Sequence, residues 1–319
     1  MRDRKLPALV WHERELVNSR IERVLALVLR TKGCTWARKS GCLMCGYRNE
    51  AIPDITQDEI LEQLENGLKE HGGEEFVKIY TSGSFLDDEE LLPHTREKII
   101  RRLAEKCTHV LVETRPEFAM NAIPLKELVP VLEVALGLET ADSLVMEKCV
   151  RKGATVESYL RAMKALRGEG IRVRAYLLLK PPFLTEKESI ENVLASIKAI
   201  AEYTDVISIN PVNVQKGTFL ERMFLRGEYR PPWFWSLFEV IRKGKACTTT
   251  AIISHPSGAG KPRGIHNCRK CDRKAIARLK DYNLTQKPEV LEFGCDCHQI
   301  WKTQLEVENA LRYSPYLSD

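Results

Sequence analysis

The chain has 319 residues, of which 44% are hydrophobic and 29% are charged, and its formal net charge is +5. This composition excludes a disordered or fibrous protein, because such chains carry too few apolar residues to build a core. The length exceeds one small domain and suits a barrel of about 250 residues with an appendage. The longest apolar runs have the size of strands, so we expect no membrane-spanning segment.

Strand-sized apolar runs alternate with amphipathic helices along most of the chain. Two helix starts are marked by capping boxes, one formed by Thr56 and Glu59 and one by Thr185 and Glu188. Because the runs are apolar throughout, they indicate parallel strands that are buried on both faces. The predicted strands are Val24–Arg30, Phe76–Thr81, His109–Thr114, Leu132–Leu138, Ile171–Leu179 and Asp205–Asn210, and two further helices lie near Ser143–Arg151 and Thr155–Arg167.

Six consecutive strand–helix units predict an α/β fold, a partial parallel (β/α)6 barrel whose active site lies at the carboxyl ends of the strands. From residue 254 the pattern changes to a Gly-, Pro- and Lys-rich segment with closely spaced cysteines. We therefore predict two domains, a barrel at 1–249 and a small C-terminal metal-binding module at 250–319.

Three cysteines follow the first predicted strand with the spacing Cys34-x7-Cys42-x2-Cys45. Three thiolates do not complete a tetrahedral zinc site by themselves. They can hold three irons of a [4Fe–4S] cluster and leave the fourth iron open to bind and reduce a ligand. A zinc site that takes a distant fourth ligand is the alternative.

Four more cysteines form a CxxC pair and a CxC pair near the C-terminus, namely Cys268, Cys271, Cys295 and Cys297. Four thiolates favour a closed structural zinc site, and a second iron–sulfur cluster is the alternative. His266 and His298 compete as ligands, but a surface position is the commoner fate of such histidines. No export signal is visible, and ten cysteines in such a chain indicate metal ligands in a reducing, cytoplasmic compartment.

Basic residues are concentrated beside these cysteines. Between Lys261 and Lys280 the chain has eight basic residues and a single acid, Asp272. A solvated surface is the simplest interpretation of such a stretch. Its position inside a predicted metal module also makes contact with nucleic acid a hypothesis.

The cysteine triplet and its flanking residues, from Gly33 to Ala37 and from Gly41 to Tyr47, resemble the radical S-adenosylmethionine (SAM) subunits of archaeosine synthases. That family is related to the Elongator-type radical SAM proteins, and the resemblance covers essentially the whole chain. The segments similar to the wider group are Val112–Glu117, Gly137–Thr140, Gly170–Val173 and Tyr176–Pro182.

The resemblance implies that the cluster binds SAM and that its electron splits SAM into methionine and a 5′-deoxyadenosyl radical. Cys34, Cys42 and Cys45 would be the cluster ligands. The SAM-binding positions that the family pattern indicates are Met44 (where an aromatic residue is usual), Ser82, Gly83 and Ser84 (in place of a glycine-rich motif), Glu113, Arg115 and Glu139. A structural ion pair across the strand ends is the alternative role for the last three charges.

The resemblance also implies a reaction. The enzyme would cleave a C–N bond in a lysine-bearing 7-deazaguanine base at position 15 of archaeal tRNA and so form archaeosine. The implied partners are tRNA, a subunit that installs the lysine and an electron donor. The alternatives are another Elongator-like tRNA modifier or a non-catalytic RNA-binding protein that its metals stabilise.

Overall fold

The computed structural model describes residues 3–310, and eight strands form one hydrogen-bonded sheet. The strands are β1, Leu9–Val17; β2, Arg20–Leu29; β3, Phe76–Thr81; β4, His109–Thr114; β5, Val131–Glu139; β6, Arg172–Leu179; β7, Val206–Pro211; and β8, Ala251–Ile253. Their order in the sheet equals their order in the chain. β2 to β5 pair in parallel, as does β7 with β8, so the chain crosses over between successive strands. The six predicted strands are confirmed as β2 to β7.

Helices occupy most of the crossovers. They are α1, Thr35–Lys39; α2, Gln57–Gly67; α3, Pro93–Ala104; α4, Val156–Gly168; α5, Glu186–Ile200; α6, Phe219–Leu225; α7, Phe234–Cys247; α8, Asp272–Thr285; and α9, Cys297–Ala310. Both predicted capping boxes are confirmed, at the starts of α2 and α5. The helix predicted near Ser143–Arg151 is a short π-helical segment at Val145–Val150.

The described residues divide into two compact units. The first comprises 3–41, 47–137 and 157–174, and the second comprises 42–46, 138–156 and 175–310. The first unit has its core on β2, β3 and β4, whose central side chains are buried. In the second unit α5 packs on α7, and a Cβ atom on Gly244 of α7 would lie 2.9 Å from Ile197 Cδ1 and 3.0 Å from Ile252 Cδ1.

The antiparallel strand β1 was not expected from the sequence. Val17 of β1 is paired with Arg20 of β2, so that only Asn18 and Ser19 form the connecting loop. Both loop residues have positive φ angles, 47° and 66°, as a type I′ hairpin turn requires.

Charged side chains take the place of apolar ones on the buried side of β1. Lys78 Nζ lies 2.5 Å from Glu13 Oε1 and 2.5 Å from Glu15 Oε2. Arg174 donates hydrogen bonds of 2.5 Å to both Glu15 and Glu133. Because each buried charge has partners of opposite sign, this network ties β1 to β3, β5 and β6 within the first unit.

The last strand lies just past the boundary predicted at residue 250. β8 pairs with β7 through Val206 and Ala251, and Gln286, which ends α8, hydrogen-bonds to Ile252 of β8 from its side chain. The predicted domain boundary remains a prediction. The last part of the predicted C-terminal module, 311–319, lies outside the described residues. Within 3–310 the structure contains no helix that is both long and apolar enough to span a membrane.

Candidate active site and candidate metal centre

Cys34 lies where the chain leaves β2 and enters α1. It is the residue directly before the first turn of α1, and Arg38 N donates to its carbonyl oxygen over 3.2 Å. Gly33 precedes it with φ +85°, and a Cβ atom on Gly33 would lie 2.7 Å from Ala51 Cβ. The turn that presents Cys34 therefore requires glycine for both backbone and space.

The end of β3 lies directly against this turn. A Cβ atom on Gly83 would be 2.5 Å from Cys34 N and 2.6 Å from Cys34 Cα, closer than real atoms approach. Ser82 and Ser84 flank this glycine and are both buried. Gly83, which has no side chain, thus leaves room for the backbone of Cys34 to approach the end of β3.

Glu90 joins these two segments and was not singled out from the sequence. Its fully buried carboxyl accepts a hydrogen bond from Ser84 N over 2.7 Å and one from Thr31 Oγ1 over 2.5 Å. Thr31 Oγ1 in turn accepts from Gly33 N over 3.2 Å. Burial raises the pKa of Glu90 to about 7, so the carboxyl is mostly protonated in mildly acidic solution.

A cavity of 570 Å³ opens beside Cys34 within the first unit. Its lining includes Cys34 and three basic side chains, Lys32, Arg38 and Arg48. Arg38 forms an ion pair with Glu89, which also lines the cavity. The cavity beside Cys34 is therefore lined by three basic and two acidic residues, the acids being Asp88 and Glu89.

Two of the predicted SAM-binding residues come together with Ser84 at the end of β4. Phe85 N donates to Glu113 O over 2.9 Å, and Arg115 N donates to Ser84 Oγ over 3.2 Å. The guanidinium of Arg115 lies 5.9 Å from the ring centre of Trp36 in α1. Its Nε donates to Glu117 over 2.6 Å, so the buried Arg115 has an ion-pair partner in the same loop.

Cys42 and Cys45 belong to the second unit, where the segment 42–46 is held by its backbone. Leu43 N donates to Val150 O over 3.1 Å, and Leu43 O accepts from Leu220 N over 3.2 Å. Gly46 N donates to the side chain of Gln215 over 2.7 Å, and a Cβ atom on Gly46 would lie 2.5 Å from that oxygen. Cys45 N also donates to Cys42 O, which closes a tight turn between the two cysteines.

Met44 and Glu139 are the remaining predicted SAM-binding residues, and both lie in the second unit. The side chain of Met44 packs in an apolar cluster with Val150, Leu178 and Tyr229. Glu139 ends β5 with φ +70°, a backbone conformation that is uncommon for non-glycine residues. Its carboxylate pairs with Lys152 Nζ at 2.7 Å.

The four C-terminal cysteines converge on one point, as predicted. The sulfur-to-sulfur distances are 3.6 Å for Cys268 and Cys271, 3.7 Å for Cys268 and Cys295, 3.6 Å for Cys271 and Cys297, and 3.4 Å for Cys295 and Cys297. All four sulfurs lie within 4.8 Å of one another, so they could hold a metal ion. These distances far exceed the roughly 2.05 Å of a disulfide.

Two side chains donate hydrogen bonds to these sulfurs, one from the residue before Cys268 and one from α7. Asn267 Nδ2 lies 3.4 Å from Cys271 Sγ, and Trp235 Nε1 of α7 lies 3.3 Å from Cys297 Sγ. Such donors favour thiolates over thiols. Of the two histidines nearby, His266 uses Nδ1 on the carbonyl of Gly264, and the ring of His298 stacks on Trp301.

Comparison with known proteins connects this geometry to a family. The radical SAM superfamily model matches residues 28–195. Archaeosine synthase subunit beta of Methanosarcina acetivorans is 38% identical, over 98% of this chain and 93% of that protein. Archaeosine synthase subunit beta of Thermococcus kodakarensis is also 38% identical, over 94% of this chain and 97% of that protein.

A solved structure shows the same fold at much lower identity. Elp3 of Methanocaldococcus infernus with an N-terminal deletion has a TM-score of 0.53 and 17% identity, and the match covers 82% of this chain and 63% of that one. The predicted fold class, a partial parallel barrel of the radical SAM type with a small C-terminal metal-binding module, is confirmed. The chain therefore belongs to the radical SAM superfamily and, within it, to the family that includes archaeosine synthase subunit beta.

Proposed function

We propose that this protein is a radical SAM enzyme that modifies tRNA, and that it is the archaeosine synthase subunit that carries out the step forming archaeosine. The observation that carries the proposal is the near full-length similarity to archaeosine synthase subunit beta, 38% over 98% of this chain. Membership of the superfamily implies a [4Fe–4S] cluster and SAM. When both are bound, they supply one-electron chemistry that removes a hydrogen atom from an unactivated carbon.

The chain's own residues would hold these groups. Cys34, Cys42 and Cys45 supply the three thiolates that a site-differentiated cluster needs. Two observations support the assignment for Cys34: it borders a cavity, and Gly83 leaves its backbone room that any side chain would fill. In this proposal the residues that bind SAM are Ser82, Gly83, Ser84, Glu113, Arg115, Met44 and Glu139.

The proposed reaction is C–N cleavage in the lysine side chain of a lysine-bearing 7-deazaguanine at position 15 of tRNA. The fragment that stays on the base is the formamidine group of archaeosine. A second subunit would install the lysine, which agrees with the name "subunit beta" of the relatives. An electron donor would reduce the cluster.

For the C-terminal cysteines we favour one zinc ion over a second iron–sulfur cluster. Zn–S bonds of about 2.3 Å in a tetrahedron place the sulfurs about 3.8 Å apart. The four distances of 3.4–3.7 Å agree with that value. A cubane binds each thiolate to a different iron, which would separate the sulfurs by the width of the whole cluster.

Nucleoside analysis of tRNA tests the function. In a strain that lacks this protein, mass spectrometry should find the lysine adduct in place of archaeosine. The parent gene should restore archaeosine, whereas a Cys42→Ala gene should not. Normal archaeosine in the deletion strain would contradict the proposal.

A further inference from the structure

The C-terminal module carries a basic surface made from one turn and one helix face. Its members are Arg269, Lys270, Arg273, Lys274, Arg278 and Lys280. All are exposed except Arg278, which is half-buried. We name this set the basic turn–helix surface.

The backbone under this surface is fixed by contacts of its own. Arg269 and Lys270 occupy the turn between Cys268 and Cys271, whose sulfurs are 3.6 Å apart. Asn267 N donates to Asp272 Oδ1 over 2.8 Å, which pins the turn to the start of α8. The opposite face of α8 buries Ala275, Leu279 and Tyr282, so its basic side chains are directed to solvent.

The charges of this surface are not consumed by ion pairs. No ion pair within the described part of the chain involves any of its six members, although Lys274 Nζ lies 5.4 Å from the ring centre of Phe293. Asp272 is buried, and the exposed acids Asp281, Glu289, Glu292 and Asp296 form no ion pair with the surface. In contrast, Arg263 from the same basic stretch is paired with Glu221 at 2.6 Å.

The charge and the lack of apolar side chains on this surface favour RNA over a protein as its partner. Among the described residues no exposed large apolar side chain lies in the turn or on α8, and those of the C-terminal module, Ile300 and Val307, lie on α9. Protein interfaces are centred on apolar and aromatic anchors and are depleted in lysine, whereas nucleic-acid interfaces are strongly positive. A set of Lys and Arg side chains that form no ion pair among the described residues and have no apolar centre therefore matches a phosphate backbone.

We infer that the basic turn–helix surface, which shares no residue with the cluster-binding loops, binds the phosphate backbone of the tRNA substrate. The inference rests on the proposed function, since it assigns a contact to that same substrate. The surface supplies affinity and positioning, while base recognition and chemistry belong to other residues.

The test reverses three exposed charges that form no ion pair among the described residues. The variant Lys270→Glu, Arg273→Glu, Lys280→Glu is compared with the parent for binding of a fluorescent archaeal tRNA transcript over a series of salt concentrations. Each phosphate contact contributes about 0.7–0.9 to the slope of log K against log salt, so losing three should flatten that slope by about 2–3. Affinity near 0.15 M salt should fall roughly tenfold or more.

A control variant carries the same charge change elsewhere. Lys98, Lys187 and Lys198 are exposed and make no ion pair among the described residues, so Lys98→Glu, Lys187→Glu, Lys198→Glu matches the change in net charge. This variant should keep the parent's slope and most of its affinity. Both variants should retain the parent's iron content and its cleavage of SAM in the absence of tRNA.

Two results would overturn the inference. One is tRNA binding by the test variant that equals the parent's; if that variant also loses the second subunit in pull-downs, the surface is assigned to a protein. The other is an equal loss of tRNA binding in both variants, which would mean that only net charge matters. Nucleoside analysis of the deletion strain judges the proposed function independently, so a failure here leaves that result untouched.

Discussion

Glu90→Ala is expected to loosen the loop that presents Cys34. The carboxyl of Glu90 is fully buried and joins Ser84 N, at 2.7 Å, to the Thr31 hydroxyl, at 2.5 Å. Removing it leaves a buried N–H and a buried hydroxyl without their partner, at about 1–3 kcal/mol each. The expected loss is therefore about 2–6 kcal/mol of local stability.

The measurement should be made near pH 6. Burial raises the pKa of Glu90 to about 7, so at pH 6 the carboxyl is mostly neutral. At that pH the substitution therefore removes hydrogen bonds and does not also remove a buried charge. Hydrogen exchange of the amides in 31–36 and 82–86 reports the free energy of local opening. Since 1.4 kcal/mol is tenfold, these amides should exchange at least roughly thirtyfold faster in Glu90→Ala.

Two control variants are compared with Glu90→Ala. Glu90→Gln keeps an acceptor for Ser84 N and an amide that donates to Thr31 Oγ1, so we expect it to lie within about 2 kcal/mol of the parent. Glu89→Ala removes the neighbouring carboxylate, which is 69% exposed and paired with Arg38, and should change stability by at most about 1 kcal/mol. The reasoning is refuted if Glu90→Ala exchanges no faster than Glu89→Ala in these two segments.

Three further outcomes are expected. Cys42→Ala should lose the visible absorption of the iron–sulfur cluster and the formation of 5′-deoxyadenosine from SAM, and a variant that still cleaves SAM would end the proposed mechanism. Cys268→Ser should release about one equivalent of zinc and make the region after residue 250 sensitive to protease while the cluster persists, because small metal modules take folding free energy from the metal; unchanged metal content and proteolysis would contradict this. Glu133→Gln should destabilise the protein by about 3–5 kcal/mol at pH 7, since it breaks a buried charge network. Burial alone would raise the pKa of Glu133, but Arg174 and His109 hold it at about 2. The ionised carboxylate therefore stabilises the fold fully above pH 4.5, and this stabilisation is lost as the pH falls toward 2. The difference between parent and Glu133→Gln in urea unfolding should shrink over that range; a difference that does not depend on pH would refute the assignment.

The sequence by itself determined the elements whose signals are local. The strands β2 to β7 are apolar runs buried on both faces, and Thr56 and Thr185 mark their helices through contacts that span only three residues. The pairing of a CxxC with a CxC also predicted convergence of the four C-terminal sulfurs, because metal ligation demands it. The resemblance of the cysteine triplet to radical SAM subunits predicted the family, and comparison with known proteins confirmed it.

Only the tertiary structure decided features that depend on partners distant in the chain. β1 escaped prediction because Glu13 and Glu15 make it look like a polar loop, yet Lys78 and Arg174 neutralise them from other strands. By sequence Glu90 resembles a surface acid in an acidic stretch, whereas in the structure its carboxyl is hydrogen-bonded to Thr31 and Ser84. In both cases a carboxyl group is buried because neighbours distant in the chain satisfy it, and no periodic pattern along the chain records which neighbours those are.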